Sequence, residues 1–578
     1  MLRDVGYLLL LAAIPALVLL HLSIAPYTKV EESFHIQAIH DIEAYGIPSR
    51  NVSAVLRAAY DHFTFPGAVP RTFAGAVALS GLSSPIIWLK HDIDRQFIAR
   101  AILGLFNAFS LLYFANALRR AAGRTAAVWF LLFQASQFHV IYYASRTLSN
   151  MFAFGMITFA LAALLPDPVN LRTYRKRSRL AIYLITIAGI VFRAELALFL
   201  ATHTIFLFAT GRISIRREII PAGILGLVLG LSITIPLDSF FWQQFPLWPE
   251  LAAFRFNVLA GQSSAWGTHP WHYYFSNALP RLLLNPLTYL IAIPISLLQP
   301  ATRRISTSIL IPSLTYILIY SAQPHKEWRF IVYAIPPLTA AASLGASYIW
   351  THRAKSILYR LLSLGFIASI LASFCISSFL LVPASAANYP GAIALNTLHT
   401  HVLSAAPRDT PISISVHLGN LACQTGVTRF LQLPSHTDNN NQDANSNIPK
   451  IRWTYNKSST ETQPPNFLTR FDYLLLEPSE ADSLLSLSGS STEYAHSYQY
   501  AWQTVDSIVG FAGIRVVKPG QDASGEFEEG VLRGVLGDKA DGFVGGWKRV
   551  RNVVRGVTGG WWVEGRMEER VRILRRVR

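Results

Sequence analysis

Cysteine and charged residues are both scarce in this chain of 578 residues. The two cysteines, Cys375 and Cys423, are too few for a disulfide-rich scaffold or a cysteine-rich metal centre. Charged residues make up 14% of the sequence, against roughly 25% in a soluble domain. Hydrophobic residues reach 52%, so the shortage of charge excludes an ordinary water-soluble fold.

The apolar residues are gathered into uninterrupted runs that are long enough to cross a bilayer. A chain that spans lipid must satisfy its backbone hydrogen bonds within helices or a closed barrel. These runs are continuous rather than alternating, which indicates helices. We therefore predict an all-α polytopic membrane protein, with about 11 transmembrane helices within residues 1–383.

The net charge of +17 is concentrated at the C-terminus and in short loops. Ten Lys and Arg stand against three Glu in the segment 545–578. Short basic loops orient inserted helices, whereas nucleic-acid binding needs cations that follow a phosphate backbone. The charge pattern therefore predicts a membrane partner and no nucleic-acid partner.

The apolar stretch 72–89 is predicted to lie on the lumenal surface instead of crossing the membrane. Basic loops at 119–124 and 172–177 are typical of the cytosolic side, and residues 26–96 would form the first lumenal loop. Only one span, 97–118, then fits between that loop and the first basic loop. The alternative is that 72–89 does cross and that one basic loop breaks the charge rule.

Residues 180–210 are too long for one span and too short for two. We predict two short helices that turn near Arg193 and Glu195. An arginine and a glutamate buried at such a turn are either functional or only a structural ion pair, and the sequence leaves both open.

The composition changes after residue 383. Alternating apolar stretches such as 412–416 and 473–476 predict a small lumenal α/β appendage over residues 384–518. The polar run 435–447 within it is typical of a disordered insert. The last segment, 519–578, is basic and contains several glycines, and we predict a poorly ordered tail without chemistry.

Two adjacent carboxylates, Glu31 and Glu32, follow the first apolar run, 7–24. Ionisable groups at a membrane edge are costly and therefore suggest a functional site. Acids in a solvated loop without any role are the alternative.

A second candidate site lies at 325–330. His325, Lys326 and Arg329 place three potential cations in five residues, and phosphate is well bound by such a combination. The alternative is that these side chains lie at a helix end and only extend their charged groups into water, without binding phosphate. The stretch 266–274 holds four aromatic residues and two histidines, which is denser than membrane anchoring requires.

Residues 325–330, His-Lys-Glu-Trp-Arg-Phe, match the pattern His-Lys-Glu-x-Arg-Phe of the glycosyltransferase 22 family. These enzymes are mannosyltransferases that use dolichyl-phosphate mannose. The chain resembles this family over roughly residues 1–518, because further stretches also agree: 28–34, 60–72, 145–150, 263–268 and 424–430.

The resemblance implies a GT-C membrane bundle with its active site on the lumenal face of the endoplasmic reticulum. It implies an inverting transfer of mannose from dolichyl-phosphate mannose to a dolichyl-diphosphate oligosaccharide, without a nucleotide sugar. No cofactor is expected and no metal ligand is assigned. One alternative is an α-1,2-mannosyltransferase of the same family, acting on the lipid-linked oligosaccharide or in the glycosylphosphatidylinositol pathway. The other is a lipid-sugar transporter.

The resemblance also implies which residues act in catalysis and in substrate binding. Glu31 is the first choice for the catalytic base and Glu32 the second, while the donor phosphate would contact His325, Lys326 and Arg329. Acceptor or sugar contacts are predicted at the remaining polar and aromatic candidates, which are Asp61, His62, Arg146, Trp266 and His269.

Overall fold

The structure is a computed structural model that describes residues 2–165, 171–407, 411–434, 451–459, 467–489 and 501–577. It is mostly helical and consists of two compact units. The first contains Met1–Leu22 and Phe34–Leu381, and the second contains Ser23–Ser33 and Val382–Arg578. The predicted disordered insert at 435–447 lies outside the described residues.

The N-terminal part of the chain forms long apolar helices separated by short ones. The helices are α1 (Leu2–Ile24), α2 (Ser33–Tyr45), α3 (Val52–Ala59), α4 (Asp61–Thr64), α5 (Ala74–Leu89), α6 (Arg95–Ala122), α7 (Arg124–Ser136), α8 (Phe138–Tyr143), α9 (Ser149–Leu164), α10 (Leu171–Val191) and α11 (Leu196–Ala209). α9 packs against both α6 and α10, so these three helices form the centre of the first unit.

The rest of the first unit has the same character. Its helices are α12 (Ile220–Trp242), α13 (Pro249–Phe254), α14 (Leu279–Leu283), α15 (Ile293–Leu298), α16 (Pro300–Tyr320), α17 (Ile335–Thr351) and α18 (Ile357–Cys375). Gly345 on α17 faces the carbonyl oxygen of Ala292, and a Cβ there would lie 1.9 Å from that oxygen. Only glycine allows this close approach of α17 to the chain before α15.

Five helical segments of the described chain are long and apolar enough to cross a membrane, or six with one bent pair. They are Val5–Ile24, Arg95–Ala122, Ile215–Trp242, Trp328–Thr351 and Ile357–Ala386. This is fewer than the predicted 11, partly because several apolar runs form shorter helices. The run 125–143, for example, is interrupted at Gln137 between α7 and α8.

The apolar run 282–298 does not form one straight helix. The chain bends by 112° between Tyr274–Leu283 and Thr288–Leu298. Leu284 has a positive φ of 60°, and Pro286 follows two residues later. A left-handed residue and a proline both interrupt helical hydrogen bonding, which explains the bend.

The predicted turn near Arg193 and Glu195 is confirmed, because α10 ends at Val191 and α11 begins at Leu196. The stretch predicted to lie on the membrane surface, 72–89, is the 16-residue helix α5, Ala74–Leu89. Its placement on the lumenal surface stays a prediction.

The second unit contains a five-stranded sheet with helices. Its elements are α19 (Val382–Ala386), α20 (Pro390–Ala405), β1 (Ile412–Leu418), α21 (Asn420–Gln424), β2 (Ile451–Asn456), β3 (Tyr473–Leu476), α22 (Pro478–Gly489), β4 (Ala501–Val517), α23 (Glu526–Leu536), α24 (Ala540–Val557) and β5 (Trp562–Val577). The strand order is β2-β1-β3-β5-β4. β1 is parallel to β2 and β3, whereas β5 is antiparallel to β3 and β4.

Both faces of the central strand β3 are covered, and all four of its residues are buried. Leu475 belongs to an apolar cluster with Leu395 and Leu398 of α20, while Leu474 clusters with Ala481 and Leu484 of α22. A strand covered on both faces is continuously apolar, as this one is.

The poorly ordered tail expected at 519–578 is not what the structure shows. Residues Glu526–Val557 form α23 and α24, and Trp562–Val577 forms β5. β5 fills the position between β3 and β4, so its backbone groups are paired on both sides. Its apolar residues Val571, Ile573 and Leu574 are fully buried, which explains why this segment is ordered despite its many arginines.

Candidate active site

Two loops of the first unit meet through Lys326 and His269. The Nζ atom of Lys326 donates to the carbonyl oxygens of His269, at 2.9 Å, and of Gln323. The backbone N–H of His269 donates to the carbonyl of Pro324 at 3.0 Å. Lys326 is 3% exposed, and burial lowers its pKa. Two of its three ammonium donors therefore hold the loops together, which sequence reasoning did not anticipate.

His325, Glu327 and Arg329 form a connected group beside Lys326. The Nε2 atom of His325 lies 3.0 Å from Oε1 of Glu327, and its Nδ1 lies 3.0 Å from the carbonyl of Gly267. Both of these oxygens can only accept, so an imidazole with both nitrogens protonated satisfies the two contacts. Arg329 contacts both carboxylate oxygens of Glu327, at 2.6 and 2.7 Å.

The carboxylate of Glu327 is held in its charged form. Burial alone would raise the pKa of Glu327, but the charge of Arg329 and the hydrogen bonds from Arg329 and His325 lower it overall. Glu327 therefore orients both Arg329 and His325.

A second ion pair lies at the turn between α10 and α11. Nε of Arg193 donates to both oxygens of Glu195, at 2.8 and 3.1 Å. Glu195 also accepts from Nδ2 of Asn150 at 3.0 Å, and the same amide contacts the Tyr333 hydroxyl at 3.0 Å. The pair is thus fixed by α9 and by the chain that leads into α17.

The two ion pairs meet at the ring of Phe330. The guanidinium carbon of Arg193 lies 5.2 Å from the ring centre, and that of Arg329 lies 5.8 Å from it. Cations within about 6 Å of an aromatic ring are attracted to its face. Phe330 therefore gathers two guanidinium groups from distant parts of the chain into one cluster.

Arg71 adds a third guanidinium to this cluster. Burial and the charges of Arg193 and Arg329 lower the pKa of Arg71 to about 10. Its carbonyl accepts from Nε1 of Trp242 at 2.9 Å, which fixes its backbone beside the end of α12. Within the described residues no carboxylate lies close enough to Arg71 for an ion pair. The cluster thus contains a cation whose charge is not directly balanced.

Glu250 on α13 is the last member of this cluster of charged residues. Its Oε2 atom accepts from the backbone N–H of Ala194 at 2.6 Å. Burial raises the pKa of Glu250 to about 7, against the opposing charge of Arg193. Glu250 is therefore a carboxyl group that titrates near neutral pH beside three arginines.

We expect Glu250→Gln to remove a pH dependence of stability. The pKa of Glu250 is about 7 in the folded protein and 4.5 ordinarily, so the folded state binds more protons between these values. The free energy of unfolding then falls as pH rises through this window, by roughly 3 kcal/mol at most. Gln keeps the acceptor for Ala194 and cannot ionise.

The measurement is the melting temperature of the purified protein in detergent between pH 5 and 8. The difference between variant and wild type should grow in favour of the variant as pH rises. Parallel profiles would show that Glu250 does not titrate in this range, and Glu526→Gln, at an exposed acid outside the cluster, serves as the control.

The predicted acceptor residues are dispersed over the first unit. His62 is buried, donates to the carbonyl of Phe241 at 2.9 Å and packs against Trp242, as a core histidine does. Arg146 is fully buried and lies over the ring of Tyr142. The remaining three are at the surface or only partly covered: Asp61, whose N–H donates to Asp41, Trp266, which is 58% exposed, and His269, whose carbonyl accepts from Lys326. Their predicted roles are not tested by these contacts.

Glu31 and Glu32 lie in the second unit, whereas the charged cluster lies in the first. This cluster consists of Arg71, Arg193, Glu195, Glu250, Glu327 and Arg329. Glu32 is buried, and its Oε1 accepts from the backbone N–H of Lys29 at 3.1 Å. Glu31 is exposed on the same short turn, Val30–Glu32. The two acids are therefore not equivalent, since Glu32 caps the turn and Glu31 faces outward.

Sequence reasoning missed Arg71, Asn150 and Glu250. Arg71 and Asn150 lie within two of the stretches that carry the family resemblance, 60–72 and 145–150, which was the available signal. Glu250 carried no comparable signal. In the described part of the chain, no group of three His, Cys, Asp or Glu side chains is placed to hold a metal ion.

Comparison with known proteins decides the family. Residues 50–431 match the profile of the Alg9-like mannosyltransferase family, Glyco_transf_22. The chain belongs to this family. The resemblance drawn from residues 325–330 is therefore confirmed.

Two relatives match nearly the whole chain. A Drosophila melanogaster protein is 35% identical over 505 residues, which are 86% of this chain and 66% of the relative. A Saccharomyces cerevisiae protein is 34% identical over 521 residues, 85% of this chain and 86% of the relative. Both are named Dol-P-Man:Man(7)GlcNAc(2)-PP-Dol alpha-1,6-mannosyltransferase.

The fold is shared with a protein of known structure. The crystal structure of ArnT from Cupriavidus metallidurans, bound to undecaprenyl phosphate, superimposes with a TM-score of 0.53 and 13% identity. The match covers 84% of this chain and 95% of ArnT. This likeness shows the GT-C fold, and the five long apolar helical segments of the described chain show its membrane-protein character.

Proposed function

We propose that this protein transfers mannose from dolichyl-phosphate mannose to Man7GlcNAc2-PP-dolichol, in α-1,6 linkage, in the membrane of the endoplasmic reticulum. The observation that carries the proposal is the extent of the match. Two relatives that share this name align with 85% and 86% of the chain, and the family profile, residues 50–431, includes the whole charged cluster. Five apolar helical segments within the described residues fit a multi-pass enzyme with lipid-linked substrates.

The charged cluster of the first unit is suited to the leaving group. Departure of dolichyl phosphate leaves a negative charge on its oxygens, and preorganised cations stabilise that charge as it develops. Arg329 and His325 are the proposed phosphate contacts, and both are already oriented by Glu327. Lys326 has one further ammonium donor that can point to the phosphate, while its other two hold the loops.

Arg71 and Arg193 extend this phosphate site. Arg193 lies over the same ring as Arg329, and the positive charges of both lower the pKa of Arg71. Each of the other two arginines has its own carboxylate, but Arg71 lacks one within the described part of the chain. An incoming phosphate would supply the missing negative charge, with the planar two-point geometry that arginine favours.

The acceptor needs a base. The attacking sugar hydroxyl loses its proton as the new bond forms, and a carboxylate within hydrogen-bonding distance can take it. Glu31 is the proposed base because it is exposed, whereas Glu32 is engaged with Lys29. A single displacement inverts the anomeric centre, and no covalent sugar–enzyme intermediate is then required.

The proposal is tested with the purified full-length protein, dolichyl-phosphate mannose and Man7GlcNAc2-PP-dolichol. We expect an eight-mannose product whose new residue is released by an α-1,6-specific mannosidase. Transfer only to a smaller glycan, or an α-1,2 product, would assign the protein to another reaction of the family. Movement of the lipid across proteoliposomes without transfer would instead indicate a transporter.

A further inference from the structure

The helix α24 in the second unit leaves a stripe of apolar side chains in solvent. Phe543, Val550, Val553 and Val557 are 62%, 49%, 66% and 84% exposed. Their spacing of seven, three and four residues places them on one face of the helix. The opposite face is packed, because Ala540 and Val544 are buried.

The stripe continues onto the adjacent end of the antiparallel strand pair β4 and β5. Trp561, Val563 and Val516 are about half exposed there. A cavity of about 440 Å³ lies between α24 and this strand pair. Its lining residues are Val516, Val554, Thr558, Trp561, Trp562 and Val563. We refer to the four stripe residues together with Val516, Trp561 and Val563 as the apolar patch.

Contacts away from the apolar patch hold α24 in place. Lys548 forms an ion pair with Glu529 of α23 at 2.8 Å, and Arg555 donates to the carbonyl of Gln521 at 2.7 Å. Phe527 of α23 packs against Gly565 of β5, where a Cβ would lie 2.4 Å from the ring. Substitutions within the exposed stripe therefore leave these supports intact.

The charge of the surrounding surface is positive. α24 carries Lys548, Arg549, Arg551 and Arg555 against a single acid, Asp541. Arg549 is exposed and adjoins the stripe. An exposed apolar stripe flanked by basic residues and an exposed tryptophan is the pattern of a helix that lies in a membrane interface. Anionic headgroups complement this charge.

We propose that the apolar patch docks the second unit on an anionic lipid surface, with α24 lying in the plane of the headgroups. The last apolar segment, Ile357–Ala386, ends in α19, the helix with which the second unit resumes, so the second unit is tethered to a bilayer by its own chain. This inference is independent of the reaction assigned to the charged cluster. It gives the segment 519–578, for which sequence reasoning found no role, a task in positioning the enzyme on its membrane.

The test places an environment-sensitive fluorophore at Val557→Cys in a full-length Cys375→Ser, Cys423→Ser background. The labelled protein is reconstituted into nanodiscs with or without an anionic phospholipid, and quenching by shallow doxyl-labelled lipid is measured. We expect a blue-shifted emission, and quenching about threefold stronger than at the control position. Anionic lipid should increase the quenching, and high salt should reduce it.

The matched control is Asn552→Cys, an exposed position on a different face of the same helix. Equal quenching at 552 and 557, or none at either, overturns the proposal. A label at 557 that is shielded from water but not quenched by lipid also overturns it, since that result indicates a protein partner or a second copy. Val553→Asp should abolish quenching at 557 while the melting temperature stays unchanged, and a retained signal would likewise contradict lipid docking.

Discussion

Replacing Glu31 by glutamine is expected to lower kcat by about 10²- to 10⁴-fold, because glutamine cannot accept the proton of the attacking hydroxyl. The substitution changes one atom of a side chain that is exposed on the turn Val30–Glu32. Folding and membrane insertion should therefore be unchanged. The measurement is mannosyl transfer by purified variant at saturating donor and acceptor, with the melting temperature as a check of folding.

Glu32→Gln is the matched control for this prediction. Glu32 caps the backbone of Lys29 through a carboxylate oxygen, and the amide oxygen of glutamine can make the same contact. We expect this variant to keep most of its transfer activity. The opposite result, with an active Glu31→Gln protein and an inactive Glu32→Gln protein, would assign the base to Glu32. Normal turnover by both would remove the pair from the mechanism.

Removing the Arg329 side chain is expected to raise the KM for dolichyl-phosphate mannose by about 10- to 100-fold. The range follows from the 1.5–3 kcal/mol that a hydrogen bond to a charged group contributes, roughly. The KM for the oligosaccharide acceptor should change little. Steady-state kinetics with each substrate varied in turn separates the two effects.

Arg329→Ala also leaves Glu327 without one of its two partners, so a second variant is needed. Arg329→Lys keeps the charge but loses the two-point contact, and we expect an intermediate KM for the donor. Glu327→Gln with Arg329→Ala removes the unbalanced acid while the phosphate contact stays absent. Donor kinetics equal to wild type in all three variants would show that Arg329 only anchors the loop.

The local part of the site could be predicted from the sequence, because His325, Glu327 and Arg329 are neighbours in the chain. The turn at Arg193 was also predictable, since the apolar run is too long for one span and carries its charged residues at the middle. Arg71, Asn150 and Glu250 reach the same cluster only through the packing of distant helices, and the sequence carries no distance between them. Lys326 shows a further limit, because its burial depends on carbonyl groups of another loop.

The helix count and the C-terminal segment show why composition alone misleads. The bend after Leu283 depends on one left-handed residue and a following proline, while the hydropathy of the run is uninterrupted. The segment 519–578 looked like a tail because arginine and glycine dominate it. Its order comes from strand pairing with β3 and β4, which involves residues far away in the chain.

The position of β5 has a consequence for folding. Trp562–Val577 occupies an interior place in the sheet, between β3 and β4, rather than an edge. Within the described sheet β4 is joined to the other strands only through β5, so β4 cannot be added before β5 is in place. A truncation before Trp562 would leave an unpaired edge on β3 and no partner strand for β4, and unpaired strand edges promote aggregation.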